Sequence, residues 1–256
     1  MSTPPRILSI AGSDCSGGAG IQADIKTITM LGGYAMTAIT AITVQDTAGV
    51  YAAEALSPDL VAAQIDACVN DIGVDAVKIG MLGSPEIAAV VADRLERLDV
   101  PVVFDPVMVA TSGSRLADAA TIAAFERLMR LATLTTPNLD ELAALGGDEA
   151  MARRGVAYLA KGGDAGDDIL EDRLVRPGCE QILWRAPRIE TRHSHGTGCT
   201  LSSAVATCLG MGLALEEAVA RGREFVRAAL QAAPCFGTGH GPMGHQAVPR
   251  AKAGRD

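Results

Sequence analysis

The chain has 256 residues and a formal net charge of −8 at pH 7, and this length suits one large α/β domain. Its acidic balance argues against a general nucleic-acid or anionic-membrane surface, while a local anion pocket is compatible with it. Hydrophobic residues make up 48% and aromatic residues only 3%, so Ala, Val, Ile and Leu must build the core. That mixture favours parallel strands covered by helices.

The predicted elements alternate between strand and helix. Apolar, β-branched runs predict strands at residues 6–11, 35–46, 75–82, 100–109, 133–138 and 156–163. Helices are predicted at residues 20–33, 57–71, 84–98, 118–132, 139–145, 199–211 and 215–232. Residues 169–190 resemble a hairpin near a sheet edge. The order predicts a mostly parallel sheet in a single domain, 1–256, with flexible tails at 1–5 and 247–256.

The cysteines and the N-terminus predict a soluble protein of the reducing cytoplasm. Six cysteines occur without a C-x-x-C pair, which disfavours zinc fingers and a disulfide framework. The N-terminus lacks the pattern of a secretory signal. Residues 27–45 are uncharged, but Gly32 and Gly33 interrupt them, so a membrane span is not expected. The four histidines lack the i,i+4 spacing of a zinc protease, which disfavours a metal site built on histidine.

A glycine-rich loop, GSDCSGGAGIQAD, follows the first predicted strand at residues 12–24. Residues 18–23 fit the dinucleotide pattern G-x-G-x-x-[G/A], with Asp46 as a possible ribose acid. However, a dinucleotide turn follows its strand at once, whereas residues 12–17 intervene here. The glycines alone require no more than a sharp turn. The carboxylate of Asp24 in the following helix favours recognition of a small polar molecule.

The second glycine motif is HGTGCTLSSA, at residues 195–204, and the chain contains no P-loop pattern. Gly196 and Gly198 allow backbone N–H groups to converge, and the helix that begins at Cys199 adds its positive end. Together they predict an anion hole for a transferring phosphoryl group. The helix N-terminus is expected to lower the pKa of Cys199, which would make the thiol a proton acceptor. A small cysteine that only packs a helix start explains the residue equally well.

Polar side chains also follow two other predicted strands. Asp105 ends one strand, and Asn138 and Glu141 follow another. Such carboxylates can bind Mg²⁺ through water, although Asn138 or Asp140 could instead cap the next helix. Lys161, in the KGGD segment, could lie along phosphates or in a solvated turn.

Six segments together resemble the ribokinase superfamily, and within it the hydroxymethylpyrimidine/phosphomethylpyrimidine kinases of thiamine biosynthesis. They are IAGSDCSGGAGIQADIKT, VKIGMLGS, VVFDPVM, TPNLDE, KGG and HGTGCTLSSA. The resemblance implies a three-layer α/β/α ribokinase-like domain with a mostly parallel central sheet. It also implies a homodimer that uses MgATP to phosphorylate a hydroxymethyl group, and then the monophosphate to the diphosphate. The alternative within the superfamily is a pyridoxine/pyridoxal kinase.

The resemblance also implies residue roles. Cys199 would take the hydroxyl proton, while the N–H groups from Gly196 and Gly198 steady the γ-phosphate. The pyrimidine would contact Gly12, Asp24, Gln45, Met81 and Val107. The nucleotide would contact Asn138, Lys161 and Thr197, and Mg²⁺ would be held, through water, by Asp105 and Glu141. Gln45 suits the pyrimidine edge, because a carboxamide offers both a donor and an acceptor. The resemblance also makes Gln45 favour pyrimidine over pyridoxine, because pyridoxine-preferring relatives tend to carry a non-amide residue at this position.

The sequence departs from the family pattern at two places, and it leaves two other functions possible. Asp164 replaces a usual histidine, and the crossover at residues 139–160 is short, so that its helix must be truncated or its pairing strained. One other function is a cysteine-dependent hydrolase or transferase, with Cys199 as nucleophile and His193 or His195 as base. The other is a nucleotide- or thiamine-precursor-binding module without turnover.

Overall fold

The computed structural model describes residues 3–110, 113, 116–162 and 168–248, so Asp164 and, in the predicted tails, residues 1–2 and 249–256 lie outside the described residues. Nine strands are found in this part of the chain. They are β1 (Arg6–Asp14), β2 (Tyr34–Gln45), β3 (Val50–Ala55), β4 (Ala76–Ile79), β5 (Val102–Phe104), β6 (Leu134–Thr135), β7 (Tyr158–Ala160), β8 (Ile169–Val175) and β9 (Ile182–Pro187). All of them belong to one sheet, in the order β3-β2-β1-β4-β5-β6-β7-β8-β9.

The centre of the sheet is parallel and both edges are antiparallel. Strands β2, β1, β4, β5, β6 and β7 pair in parallel, while β3 joins β2 and the β8–β9 hairpin joins β7 in antiparallel fashion. The mostly parallel sheet and the edge hairpin therefore confirm the prediction. Strand β3 was not predicted, because its residues are almost all exposed and show no apolar period. Pairing with β2, rather than burial of one face, defines it.

Helices cover both faces of the sheet. They are α1 (Gly20–Met30), α2 (Pro58–Ala67), α3 (Pro85–Leu95), α4 (Ala119–Leu131), α5 (Leu139–Ala144), α6 (Gly147–Arg154), α7 (Thr197–Gly210) and α8 (Leu215–Gln231). One apolar core lies between the sheet and α2 to α6, and it includes the edge-to-face pair Phe104–Phe125. A second core lies between the other face and α1, α7 and α8. The predicted three-layer α/β/α fold is confirmed.

Local sequence signals set the helix starts. The hydroxyl of Ser57 accepts a hydrogen bond from the backbone N–H of Leu60, and Ser84 accepts one from Ile87. A proline follows each of these serines, where a missing N–H costs nothing. None of the described helices combines the length and apolar character needed to cross a bilayer.

The short crossover between β6 and β7 is built from two short helices. Gly146 and Gly147 join α5 to α6 with φ values of 94° and 73°, which only glycine adopts easily. Gly155 ends α6 with a φ of 66°. The structure therefore supports the truncated helix: a glycine kink divides the segment, and β7 still pairs with β6 in parallel.

Candidate active site

A cavity of about 750 Å³ opens at the carboxyl ends of the parallel strands. This is where ligands bind in open α/β sheets. Every predicted site residue except one contributes to its wall: Gly12, Gln45, Met81, Asp105, Val107, Asn138, Glu141, Lys161, Gly196, Thr197, Gly198 and Cys199. The fold thus brings together loops that follow five different strands, while the exception, Asp24, lies outside the cavity wall.

The glycine turn before α7 requires glycine for two separate reasons. Gly196 has a φ of 86°, and a Cβ there would lie 2.0 Å from the carbonyl oxygen of Gly18. A Cβ on Gly198 would lie 3.3 Å from both Asp105 Oδ2 and Lys161 Nζ. The first turn of α7 therefore lies beside a charged pair, and the positive end of a helix is suited to an anion.

The predicted lowering of the Cys199 pKa is wrong. Burial raises the pKa of this thiol to about 11, and the negative charges of Asp24 and Asp105 act in the same direction. The positive charge of Lys78 and a hydrogen bond from the Gly20 backbone oppose the rise without cancelling it. Cys199 is only partly exposed to solvent, so desolvation outweighs the helix N-terminus. At neutral pH the group is a thiol.

Asp105, Lys161 and Glu141 form a charged cluster across the cavity from β5 to β7. Lys161 Nζ lies 2.8 Å from Asp105 Oδ1 and 3.8 Å from Glu141 Oε2. The hydroxyl of Thr136 donates to the same Asp105 oxygen at 2.9 Å. Burial raises the pKa of Glu141 to about 7, with a further rise from the charge of Asp105 and an opposing effect of Lys161.

The two carboxylates fit the chemistry of Mg²⁺. Within the residues that the structure describes, no group of three or more His, Cys, Asp or Glu side chains is arranged to hold a metal. Asp105 and Glu141 nevertheless share one wall of the cavity. Because Mg²⁺ prefers oxygen ligands and keeps several waters, one or two carboxylates suffice for it.

Asn138 caps α5, as the helix-capping alternative predicted. Its side-chain oxygen accepts from the backbone N–H of Glu141 at 2.8 Å, and the Glu141 carboxylate accepts from the backbone N–H of Asn138 at 2.8 Å. This reciprocal pair is a capping box. The amide nitrogen of Asn138 makes no hydrogen bond among the described residues, so it stays available on the cavity wall.

Asp24 was predicted to contact the substrate, and the structure contradicts this placement. Its side chain is fully buried and forms an ion pair with Lys78, with Nζ at 3.0 and 2.8 Å from the two carboxylate oxygens. The hydroxyls of Ser9 and Ser203 donate to it at 2.6 and 2.7 Å. Asp24 therefore joins β1, α1, β4 and α7 inside the protein, away from the cavity wall.

A glutamine carboxamide also lines the cavity. Gln45 ends β2 on the cavity wall, and its hydrogen bonds to Cys15 run through its backbone. Within the described part of the chain, its side chain has no partner. Gly12 lies beside Met81, whose sulfur would be 3.2 Å from a Cβ at position 12. This end of the cavity thus offers a thioether, a glycine surface and one unpaired amide.

Sequence reasoning missed a buried pair at the centre of the site. Asp14 Oδ2 lies 2.9 Å from Nε2 of His195, and both residues line the cavity. The two residues are 181 positions apart, so no local pattern could connect them. Asp14 did carry a signal of its own, since Ser16 two residues later is typical of an aspartate turn.

Comparisons with known proteins agree with this geometry. The family model for phosphomethylpyrimidine kinase matches residues 14–244. The hydroxymethylpyrimidine/phosphomethylpyrimidine kinase of Streptomyces coelicolor is 45% identical, with 95% of each chain covered. The thiamine biosynthesis bifunctional protein of Geobacter sulfurreducens is 44% identical over 93% of this chain and 52% of its own.

Among solved structures, the ADP complex of Bacillus subtilis pyridoxal kinase superposes with a TM-score of 0.88 at 33% identity, covering 96% of this chain and 99% of that one. A shared fold alone would leave the family open, but the match to the family model spans both glycine motifs and most of the sheet. The chain belongs to the phosphomethylpyrimidine kinase family.

Proposed function

We propose that the protein transfers a phosphoryl group from ATP to the hydroxymethyl group of 4-amino-5-hydroxymethyl-2-methylpyrimidine, and then a second one to the monophosphate, in thiamine biosynthesis. Family membership supports the reaction, and the names of the Streptomyces and Geobacter relatives support the substrate and the pathway. The observation that carries the proposal is one cavity that holds both a glycine turn suited to an anion and the carboxamide of Gln45, which has no partner among the described residues.

The glycine turn would stabilise the transferring phosphoryl group. The N–H groups at Gly196, Gly198 and Cys199 add to the positive end of α7, and Lys161 lies close enough to follow the phosphates. Phosphoryl transfer needs little covalent help from the protein, so positioning and charge stabilisation supply most of the rate enhancement. Mg²⁺, held through water by Asp105 and Glu141, would neutralise charge on the phosphate oxygens when bound.

Cys199 is the proposed acceptor of the hydroxyl proton, and it must ionise before it can act. With a pKa of about 11, the thiolate is roughly one part in 10⁴ at pH 7 before substrates bind. Lys78 and the N–H of Gly20 are the protein groups that favour its charged form.

The nucleotide would contact Lys161, Thr197 and the free amide nitrogen of Asn138. The cavity continues beyond them to a mixed surface between the β8–β9 hairpin and α8, with room for the rest of ATP. Apolar side chains from both sides, Leu170 and Val226 among them, line that end.

Gln45 supports pyrimidine over pyridoxal, since its amide can both donate to and accept from an aminopyrimidine edge. The likeness to a pyridoxal kinase structure keeps pyridoxal as the second candidate substrate. The protein would work in the reducing cytoplasm, because all six cysteines are free.

A homodimer is also part of the proposal. Strand β3 is an exposed edge, and apolar side chains on β2 and β3 face solvent: Ile42, Val44 and Tyr51 are 45%, 56% and 66% exposed. Such an edge invites pairing with another chain. Sedimentation velocity should give twice the chain mass; a monomer at micromolar concentration would contradict this part of the proposal.

The test of the function is ADP release from MgATP in the presence of the pyrimidine, measured for the wild-type protein and for Cys199→Ala. We expect turnover by the wild type and a loss of kcat on the order of 10²–10⁴-fold in the variant, the range typical of a lost acid–base group. Full activity of Cys199→Ala would reject Cys199 as the proton acceptor. A folded wild type that binds ATP and pyrimidine without releasing ADP would instead indicate a binding module.

A further inference from the structure

The two glycine motifs of the sequence touch each other in the structure. A Cβ on Gly18, in the loop after β1, would lie 2.3 Å from Cδ2 of His195. A Cβ on Gly196 would lie 2.0 Å from the carbonyl oxygen of Gly18. Only glycine permits such close approach, so the substrate-side loop and the phosphate-side turn form one interlocked unit.

Asp14 organises the first loop through a single carboxylate. One oxygen accepts from the backbone N–H and the hydroxyl of Ser16, at 2.8 and 2.7 Å. The other accepts from the backbone N–H groups of Gly18 and Ala19, at 3.1 and 2.7 Å. That second oxygen also lies 2.9 Å from Nε2 of His195. The loop before α1 is therefore folded around Asp14, and His195 is its contact with the second glycine motif.

The direction of the Asp14–His195 hydrogen bond follows from the charge of Asp14. Burial alone would raise the pKa of Asp14, but hydrogen bonds from His195, Ser16 and Ala19 lower it to about 2. The carboxylate is thus ionised at neutral pH and can only accept. Nε2 of His195 must carry the hydrogen, whichever charge the ring has.

His195 also has a fixed backbone. Its N–H donates to the carbonyl of Gly241 at 3.2 Å, and it forms a short parallel bridge with Pro242. The next residue, Gly196, begins the turn that leads into Cys199. A shift of the imidazole would therefore be transmitted to the anion hole and to the thiol.

We propose that His195 is a positioning residue of the phosphoryl transfer: through its Nε2–H bond to Asp14, it holds the anion-hole turn in register with the substrate loop. The inference rests on the proposed kinase function. It assigns His195 no proton transfer with substrate, because its Nε2 hydrogen is already committed to Asp14. A misplacement of about 1 Å at such a site can cost on the order of 10²-fold in rate.

The test compares two neutral amide replacements. In His195→Gln the amide nitrogen occupies the ε position of the imidazole Nε2, whereas in His195→Asn it is one bond shorter and falls short of Asp14. We expect Gln to restore kcat to near the wild-type value. We expect Asn to lower kcat on the order of 10²-fold, with the KM values for both substrates and the melting temperature little changed. His240→Asn, which removes an exposed histidine away from the cavity wall, is the matched control and should behave as wild type.

A double-mutant cycle provides a second measurement. If His195 acts through Asp14, the variant Asp14→Asn/His195→Asn should be no slower than the slower single variant. Losses that multiply would overturn the proposal, and so would equal kcat values for His195→Gln and His195→Asn. An Asn variant that fails to fold would also overturn it, since the pair would then serve the fold rather than the transfer.

The series is run on whichever of pyrimidine and pyridoxal the wild type phosphorylates. A wild type inactive on the pyrimidine refutes the proposed function alone, whereas an active wild type with equal Gln and Asn variants refutes this inference alone.

Discussion

Replacement of Lys78 by methionine should strongly destabilise the protein, because it leaves the charge of Asp24 buried without its cation. Lys78 and Asp24 are both fully buried, and they meet at 2.8 Å. Burial alone would lower the pKa of Lys78, but the charge of Asp24 outweighs it and raises the pKa above the ordinary value. The pair is therefore ionised in the folded protein, and each partner depends on the other.

The magnitude follows from what remains after the substitution. Removal of one partner of a buried ion pair costs about 3–5 kcal/mol. The hydroxyls of Ser9 and Ser203 still donate to Asp24, so we expect Lys78→Met to lie near the lower end, at about 3 kcal/mol. For a chain of this size, each kcal/mol lowers the melting temperature by roughly 2–4 °C, which predicts a fall of about 6–12 °C.

The assay is thermal and urea unfolding of Lys78→Met and of Lys78→Met/Asp24→Asn. The double variant removes both charges, and its amide oxygen keeps an acceptor for one of the two serine hydroxyls, so it should recover at least half of the lost stability. A single variant within about 1 kcal/mol of wild type would refute the reasoning, because a surface pair behaves in that way. A double variant as unstable as the single one would refute it too.

Three further predictions concern the site. Burial raises the pKa of Cys199 to about 11, so the rate of Cys199 alkylation by iodoacetamide, followed by mass spectrometry of its peptide without substrates, should keep rising beyond pH 10. A plateau of that rate near pH 8 would contradict this. Since the pKa is higher in the folded protein than in the unfolded chain, the stability contributed by the neutral thiol is lost as pH rises through the folded pKa. Gly196→Ala should lower kcat on the order of 10²-fold, because its Cβ would collide with Gly18, whereas Gly212→Ala, with a φ of 83° and open space, should leave kcat unchanged. An equal loss of kcat in the two variants would show that the positive φ, and not the collision with Gly18, causes the effect. Asn138→Ala should lose about 1 kcal/mol of stability with the cap, while Asn138→Ser keeps the cap. The KM for ATP should rise in both Asn138 variants, and an unchanged KM would exclude the nucleotide contact.

Much of the fold was predictable, because the signals were local. Serine and proline marked the starts of α2 and α3, and apolar runs marked the buried parallel strands. The rule that ligands bind at the carboxyl ends of parallel strands then brought distant loops such as those of Gln45 and Lys161 to one cavity. Strand β3 escaped prediction because an exposed edge strand has no apolar face.

The errors in the site came from effects that only the folded chain creates. Asp24 looked like a substrate ligand because it follows a glycine loop, yet α1 turns it toward the sheet. Lys78, a charged residue inside the apolar run of β4, was the available sign that a buried carboxylate must exist. The pKa of Cys199 depends on burial, which a glycine turn and a helix start do not reveal.

The contact between Asp14 and His195 could not be read from sequence at all, since the two residues are 181 positions apart. Each motif was recognisable by itself. Their packing against each other, through Gly18 and Gly196, is a property of the three-layer fold.

The most direct test of the central claim is the ratio of kcat/KM for 4-amino-5-hydroxymethyl-2-methylpyrimidine to kcat/KM for pyridoxal, measured by ADP release with MgATP and wild-type protein. The free carboxamide of Gln45 predicts a ratio well above one, and the pyrimidine monophosphate should be converted onward to the diphosphate. A ratio below one, or phosphorylation that stops at the monophosphate, would contradict the assignment of this cavity to the pyrimidine.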